Sequence, residues 1–352
     1  MQRMVWHLLL LAPLLLPAVA SAAERQLILR LGAESDSNPA RIFDAEEGVV
    51  AGPKGTISFV DERLAWPDGL LTTEAQVGAR WLPLRDDWAA VWRLGGGLNW
   101  SHGGDWSHRA HGEFRGRSEA PGDDGLGMTR DYERVAATLG SARSWERLTL
   151  ESAAGYAAFG YAADSGRSWH GPTASLSLSY AASEAVTLSA SYEPSLRMSA
   201  ETAFLLTESL TQSTGARLQY DAGRWVASIS GSATAASAGS DTSGGGDYLH
   251  ETAEITLGGL LWGDAVGRLS GVLQRVAYDG AGSVIELAVE DEDRNQVSIA
   301  IEQPLGGGWG LEGRYQRYLQ RLGAATSTQN DFERHIAFVG LSWRSEREGA
   351  AP

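Results

Sequence analysis

The segment Ala174–Met198 constrains the fold more than any other part of the chain. It holds two stretches in which apolar residues alternate with polar ones, separated by the short polar break AASEA. Leu178 and Leu188 belong to the apolar sets, and Ser179 and Ser189 belong to the polar sets. A period of two is typical of a strand with one apolar and one polar face. The break is too short for a helical crossover, so the pattern predicts an antiparallel hairpin.

The length of these strands indicates where the hairpin resides. Each runs to about a dozen residues, whereas strands of soluble sheets usually have about 5–6. A bilayer offers no water to the backbone, so strands cross it only as a closed barrel. The hairpin therefore predicts an all-β protein, a transmembrane antiparallel up-and-down β-barrel of the bacterial outer membrane.

The first residues resemble a secretory signal peptide. Met1–Ala22 has a basic start, an apolar run of about a dozen residues and a small-residue site at Ala20-Ser21-Ala22. As a membrane anchor the run is too short, and it contains Pro13 and Pro17. We expect cleavage after Ala22 and a barrel over residues 23–352. The chain has no Cys, which excludes disulfides and thiol chemistry.

Composition agrees with a barrel and limits the partners. The chain has 43 Gly and a mean hydropathy of −0.21, as expected when half of each strand faces water. The net charge is −15 and Lys54 is the only lysine, which argues against nucleic acid as a partner. The expected partners are outer-membrane lipid, lipopolysaccharide and the barrel assembly machinery. No cofactor is expected.

The same alternation predicts fourteen strands, an even number, as single-chain bacterial barrels have. They are Gln26–Glu34, Leu70–Leu82, Trp88–His102, Thr129–Arg143, Arg147–Ala162, Trp169–Ala181, Ala185–Met198, Leu206–Tyr220, Arg224–Ser237, Tyr248–Trp262, Ala265–Asp279, Arg294–Pro304, Gly308–Arg321 and Asp331–Arg344. A count of sixteen would add Ile57–Leu64, paired with residues near Val49. The phase of Ala265–Asp279 is open, because Leu269 and Leu273 oppose Val272 and Val276.

Short and long connections alternate between these strands. The short ones are Pro83–Asp87, Ser144–Glu146, Ala182–Glu184, Asp221–Gly223, Gly263–Asp264 and Leu305–Gly307. The long ones include Ser35–Gly69, Gly103–Met128, Ala238–Asp247 and Gly280–Asp293. In outer-membrane barrels the turns are periplasmic and the loops are external, and we expect the same here.

Tryptophans cluster at the predicted strand ends, as in the aromatic girdles of membrane barrels. Seven lie at the short turns: Trp81, Trp88, Trp145, Trp225, Trp262, Trp309 and Trp343. Trp100, Trp106 and Trp169 lie toward the loops. A soluble β-sandwich with tryptophan-capped ends is the alternative.

The motif Glu34-Ser35-Asp36-Ser37-Asn38-Pro39 follows the first strand. A strand leading into D-S-N-P, then a long loop and aromatic-ended strands, resembles bacterial porin-like barrel families. The nearest are the putative beta-barrel porins and the barrel half of the surface lipoprotein assembly modifiers. The chain lacks the helical repeat domain of the latter. The last strand resembles the signal read by the assembly machinery, except that Ser345–Pro352 follow its aromatic.

Ionisable residues gather on the face opposite the predicted lipid face. With Arg30, the predicted pore-lining residues are Glu74, Arg80, Arg93, Arg134, Glu151, Glu193, Arg197, Arg217, Glu254, Glu302, Glu312 and Arg314. This pattern predicts a polar pore that screens solutes by size and charge. A closed lumen filled with Arg–Glu pairs is the alternative.

Two other clusters have the composition of metal sites. His102, Asp105, His108, His111 and Glu113 fall in one predicted external loop. Glu286, Glu290, Asp291, Glu292 and Asp293 fall in another. Neither has the spacing of a zinc or calcium site, so we expect hydrated loops and no metal.

A catalytic function is weakly indicated. Ser35 and Ser37 lie among acidic residues, but His102, His170 and His250 are distant in sequence. The sequence therefore favours a non-enzymatic, porin-like channel for passage or export of a polar solute or polysaccharide. The alternatives are a structural or adhesive barrel that anchors an envelope assembly and, less favoured, an outer-membrane hydrolase.

Overall fold

The computed structural model describes residues 23–37, 49–66, 68–83, 87–119, 131–161, 168–199, 208–238, 247–279, 295–320 and 332–345. The predicted signal peptide and the acidic cluster at Glu286–Asp293 lie outside these residues. Sixteen strands are present: β1 Ala23–Asp36, β2 Val50–Trp66, β3 Gly69–Leu82, β4 Asp87–His102, β5 Trp106–Glu119, β6 Tyr132–Trp145, β7 Leu148–Tyr161, β8 Trp169–Ala181, β9 Val186–Ser199, β10 Glu208–Asp221, β11 Trp225–Ala238, β12 Asp247–Leu260, β13 Val266–Asp279, β14 Gln296–Gly306, β15 Trp309–Gln320 and β16 Phe332–Arg344.

The strands form one closed antiparallel barrel. Each strand pairs with its neighbours in sequence, and β1 pairs with β16 to close the ring. The register at the closing seam sets Gly32 opposite Gly340, and the ring of Phe338 lies over both glycines. Closure leaves no free strand edge, so every strand pairs on both sides. In the part of the chain that the structure describes, no helix is long and apolar enough to cross a membrane.

The two faces of the barrel differ in polarity. Large apolar side chains on alternate positions are exposed on the outer face, as Leu31 (70%), Val339 (62%) and Ile255 (55%) show. The predicted hairpin has the predicted phase: Leu178 and Leu188 lie on this outer face, and the registered pair Ser179 and Ser189 lies inside. On β13, Leu269 and Leu273 lie outside, which settles the phase left open by the sequence.

The predicted count of fourteen strands is wrong by two. All fourteen predicted strands exist, with ends displaced by a few residues, but the predicted loops Ser35–Gly69 and Gly103–Met128 contain β2 and β5. The alternative count of sixteen is right, although Ile57–Leu64 and Val50 belong to one strand, β2. The other additional strand is β5.

Pattern alone missed β5 because its outer face is poor in large apolar side chains. Ala110, Gly112 and Gly116 occupy outward positions there. The indole of Trp92 on β4 covers Gly116 from the side and fills the space that a side chain at Gly116 would occupy. Part of the apolar surface over β5 is therefore supplied by its neighbour, and no alternation appears in β5 itself.

The missed strands reverse the direction predicted for β3 and β4. The connection at Pro83–Asp87 therefore lies at the loop end of the barrel, together with Trp81 and Trp88. Trp100 and Trp106 flank the turn at 103–105 at the opposite end, beside Trp145, Trp225, Trp309 and Trp343. The predicted positions of four tryptophans are therefore wrong: Trp81 and Trp88 lie at the loop end, and Trp100 and Trp106 lie at the turn end. The two aromatic girdles remain, and the turn end carries the larger.

Candidate functional site

All twelve predicted pore-lining residues have inward positions. Their cross-strand partners in the register also face inward. The twelve residues are Glu74, Arg80, Arg93, Arg134, Glu151, Glu193, Arg197, Arg217, Glu254, Glu302, Glu312 and Arg314. Arg30 is also inward and contacts Glu312 across β16, with Nε 3.1 Å from Oε2. The side chains of Arg93 and Arg109 are about half exposed. Around Arg93 and Arg109 the inner face is thus polar and exposed to solvent, whereas inward residues near the loop end, such as Asp36, Phe159 and Phe338, are buried.

Three arginines form a lateral row on β4, β5 and β6. Arg93 is registered with Arg115, and Arg115 is registered with Arg134. Glu113 lies beside the row, with Oε2 2.7 Å from Nε of Arg93 and Oε1 3.8 Å from Nε of Arg115. Like charges directly opposite one another on neighbouring strands repel. The row therefore sets three guanidinium groups side by side on the inner face, with Glu113 beside two of them.

Arg93 and Arg134 of this row were predicted from the sequence, and Arg115 was not. Arg115, with Arg109, Glu113 and Arg117, lies on β5, which had been predicted as a loop. The spacing of Arg109, Glu113, Arg115 and Arg117 by even numbers was the available signal, because it puts all four on one face of a strand. The opposite face of the strand holds too few large apolar residues to identify it, because Ala110, Gly112 and Gly116 occupy three of its positions.

Other inner charges pair with one another. Arg344 contacts Glu302 at 2.7 Å, and Arg109 contacts Glu151 at 2.5 Å. Two pairs of inner arginines on adjacent strands do not lie side by side. Arg197 and Arg217 are not neighbours, because Arg197 is registered with Ser209 and Arg217 with Ser189. Arg80 is directed away from Arg93, toward two carboxylates.

A buried ionic cluster lies at the loop end of the closing seam. Asp36 is fully buried and accepts hydrogen bonds from Arg334, with Nε 2.9 Å from Oδ1, and from Arg80 at 3.1 Å. Glu34 is 1% exposed and pairs with Lys54 and, at 3.5 Å, with Arg80. These five residues, from β1, β2, β3 and β16, join the strands on both sides of the seam. The cluster contains Glu34 and Asp36 of the D-S-N-P motif.

An aromatic cluster occupies the loop end of the opposite wall. The rings of Tyr132 and Phe159 stack at 5.1 Å, and those of Phe159 and Trp169 stack at 6.1 Å. The guanidinium of Arg197 lies over the indole of Trp169 at 4.7 Å. Trp169 is therefore inside the barrel and does not belong to the girdle. A cavity of about 470 Å3 lies against Phe159, Trp169 and Arg197.

The predicted histidine-rich loop is in fact the β4–β5 hairpin. Its turn is short, His108 lies on the outer face with Nδ1 2.8 Å from Oγ of Ser141, and His111 lies on the inner face. The strand thus separates the two imidazoles. Among the described residues, no three His, Asp or Glu side chains are placed to hold a metal ion.

The histidines weighed as partners of Ser35 and Ser37 lie elsewhere. His170 is bonded to the hydroxyl of Tyr156 at 2.6 Å on the outer face, and His250 is 3.3 Å from the hydroxyl of Thr252. The hydroxyl of Ser37 accepts a hydrogen bond from the backbone N–H of His335 at 2.8 Å. The described residues thus place no imidazole against either serine in the manner of a nucleophile and its base.

Solved structures share this architecture. OmpF of Salmonella typhi, in complex with daunomycin, matches with a TM-score of 0.52 at 10% identity over 91% of this chain and 97% of that chain. A bacterial polysaccharide outer membrane secretin matches with a TM-score of 0.47 at 7% identity, over 91% of this chain and 98% of that one. The toluene transporter TodX of P. putida matches with a TM-score of 0.41 at 10% identity, over 93% and 91%. No protein-family model and no curated protein matches the sequence.

Fold and faces together define the class. A closed sixteen-stranded barrel with an apolar outer face, two aromatic girdles and a polar inner face is a porin-like β-barrel of the bacterial outer membrane. The resemblance to the putative beta-barrel porins and the assembly modifiers remains a prediction.

Proposed function

We propose that the chain is a channel that passes polar solutes across the outer membrane. The observation that carries this proposal is the strand number, sixteen, combined with a solvent-exposed polar inner face. Eight-stranded barrels are filled by their own side chains, whereas barrels of sixteen strands enclose an aqueous channel. The solute is admitted according to size and to the charges along the wall.

The wall charges favour anions near the loop end. Arg93, Arg115 and Arg134 form a row of three guanidinium groups, with Glu113 beside Arg93 and Arg115. Each fixed charge acts over about a Debye length, roughly 8–10 Å in physiological salt. A solute passing the row at that distance meets a positive potential, which raises the local concentration of anions. The channel therefore selects for anionic over cationic solutes of the same size.

Planar-bilayer recording of the purified barrel tests the proposal. We expect discrete conductance steps, and in a salt gradient we expect a reversal potential on the anion-selective side. Arg93→Glu changes the row by two charges and moves the reversal potential toward cation selectivity. Arg317→Glu makes the same change on the outer face, where the side chain is exposed, and leaves the reversal potential in place.

The possible outcomes are distinct. A silent barrel would overturn the channel proposal and favour an anchoring role. Conducting barrels whose selectivity ignores Arg93→Glu would remove the row from the conduction path while leaving the channel itself intact.

A further inference from the structure

The inner face of β8–β12 differs from the rest of the lumen in chemistry. β11 contains no ionisable side chain, and the inward positions of β8 carry no charge. Serine and threonine are the commonest inward residues of these five strands, and the charged residues among them are Glu193, Arg197, Arg217, Glu254 and, at the turn end, Asp221. We call this surface the hydroxyl wall. The charged row of Arg93, Arg115 and Arg134 lies on other strands.

The hydroxyls form rows across the strands. Ser177 is registered with Ser191, which is registered with Gly215, and Gly215 is registered with Ser232. In the next row toward the turn end, Ser179 and Ser189 are followed by Arg217 and then by Ser230. Successive inward positions along a strand are about 6.6 Å apart, and neighbouring strands are about 4.8 Å apart. The wall therefore presents a lattice of hydroxyls.

The rows continue toward both ends of the barrel. At the loop end, Thr173 is registered with Ser195, and Ser195 with Thr211. The aromatic cavity at Phe159 and Trp169 adjoins these residues. Near the turn end, a second cavity of about 350 Å3 is bordered by the serine rows. A solute can thus exchange one hydroxyl neighbour for the next along the serine rows, whereas at the loop end the hydroxyls of Ser195 and Thr211 bond to each other and Thr211 is buried.

A hydroxyl wall recognises a particular chemistry. Each serine or threonine hydroxyl both donates and accepts a hydrogen bond, so it can satisfy a solute hydroxyl in either role. Carboxylates and guanidinium groups offer only one role each and bind counter-ions instead. Single hydroxyl bonds contribute only about 0.5–1.5 kcal/mol net, which suits transport, because conduction requires many weak sites rather than one tight one.

We propose that the hydroxyl wall is a track for neutral polyhydroxylated solutes, that is, saccharide chains. The proposal rests on the channel function proposed above and specifies a solute class for it. Ions follow the charged wall, and the saccharide follows β8–β12. The aromatic cavity adjoins the loop end of the track, but the rings of Phe159 and Trp169 stack on each other and are buried, so the saccharide is bound by hydroxyls and not by these rings.

Current block by a neutral oligosaccharide tests the track. Maltohexaose is added to single channels, and poly(ethylene glycol) of matched hydrodynamic size serves as a comparison without hydroxyl groups along the chain. We expect maltohexaose to reduce the ion current at concentrations at which the glycol has little effect.

Removing one row of hydroxyls should weaken the block. The triple variant Ser177→Ala, Ser191→Ala, Ser232→Ala loses up to three weak hydrogen bonds, so we expect a block about tenfold weaker. The matched control is Ser152→Ala, Ser237→Ala, which removes hydroxyls from the outer face. Maltohexaose should block the current through this control as strongly as it blocks the current through the unaltered barrel.

Each outcome decides the proposal. Equal block by the two polymers, or block unchanged in the triple variant, overturns the track while conductance steps still support a channel. If no steps are seen, titration calorimetry of maltohexaose into the detergent-solubilised barrel decides separately. Heat of binding that is lost in the triple variant supports saccharide recognition by this wall, and its absence overturns it.

Discussion

Leu188 and Ser189 are adjacent in sequence and lie on opposite faces of β9. Leu188 is 46% exposed on the outer face, whereas Ser189 is inward and registered with Ser179. A cationic side chain on the lipid face costs about 2–4 kcal/mol at the bilayer midplane and about 0–1 kcal/mol at the interfaces, and in a wet lumen it costs much less than at the midplane. Leu188, the third residue of β9, lies between the two depths. The phase of the strand thus decides what each position tolerates.

We therefore predict that Leu188→Arg lowers the yield of folded barrel in the outer membrane and that Ser189→Arg is tolerated. Heat-modifiable migration of the extracted protein on gels measures the folded fraction. Similar folded fractions for the two variants would show that the phase of β9 is wrong.

At the scale of elements, the seam between β1 and β16 depends on the buried ionic cluster. Asp36 is fully buried between Arg334 and Arg80, so removing its charge takes away the carboxylate that both guanidinium groups contact, although Arg80 keeps Glu34 at 3.5 Å. Breaking a buried pair by removing one partner costs about 3–5 kcal/mol, whereas an exposed pair contributes about 0–1 kcal/mol. The seam should therefore be sensitive to a single substitution.

We predict that Asp36→Asn lowers the free energy of unfolding by about 3 kcal/mol or more. The control Glu333→Gln removes one charge of the exposed pair between Arg317 of β15 and Glu333 of β16. It should lower the free energy of unfolding by less than about 1 kcal/mol. Urea unfolding of the barrel in lipid vesicles, followed by tryptophan fluorescence, provides both values. Equal losses would mean that the cluster does not hold the seam.

Some strands could be predicted from the sequence and others could not, and the difference has a physical reason. The hairpin β8–β9 carries its own apolar and polar faces, so its strands, phase and pairing followed from alternation. β5 has an outer face with few large apolar residues and is partly covered by Trp92 of β4. β2 contains Pro53, flanked by Gly52 and Lys54, and then Gly55, so its alternation is interrupted. The features that make β2 and β5 strands thus depend partly on neighbouring strands, and they do not appear in the sequence pattern of either strand alone.

The candidate site shows the same division. The inward charges on recognised strands were predicted residue by residue, because even spacing fixes the face. Arg115 and Glu113 were missed with their strand, and the row that Arg115 completes depends on the register among β4, β5 and β6. Register between strands is a property of the closed barrel, and no local pattern specifies it.

At the scale of the whole molecule, strand number and face chemistry combine. Sixteen strands give a lumen wide enough for water, and the lumen has a charged wall and a hydroxyl wall. Both the channel and the solute class proposed for it depend on β5 being a strand whose alternate residues face water.

Cysteine accessibility along β5 tests this account most directly. The chain has no cysteine, so each introduced thiol is the only one present. Single cysteines at the inward residues His111, Glu113 and Arg115 should react with a small, charged, membrane-impermeant thiol reagent in outer-membrane vesicles. Cysteines at the outward residues Ala110, Gly112 and Phe114 should remain unlabelled. Uniform labelling across these six positions, as in a solvated loop, would contradict both the strand and the water-filled lumen.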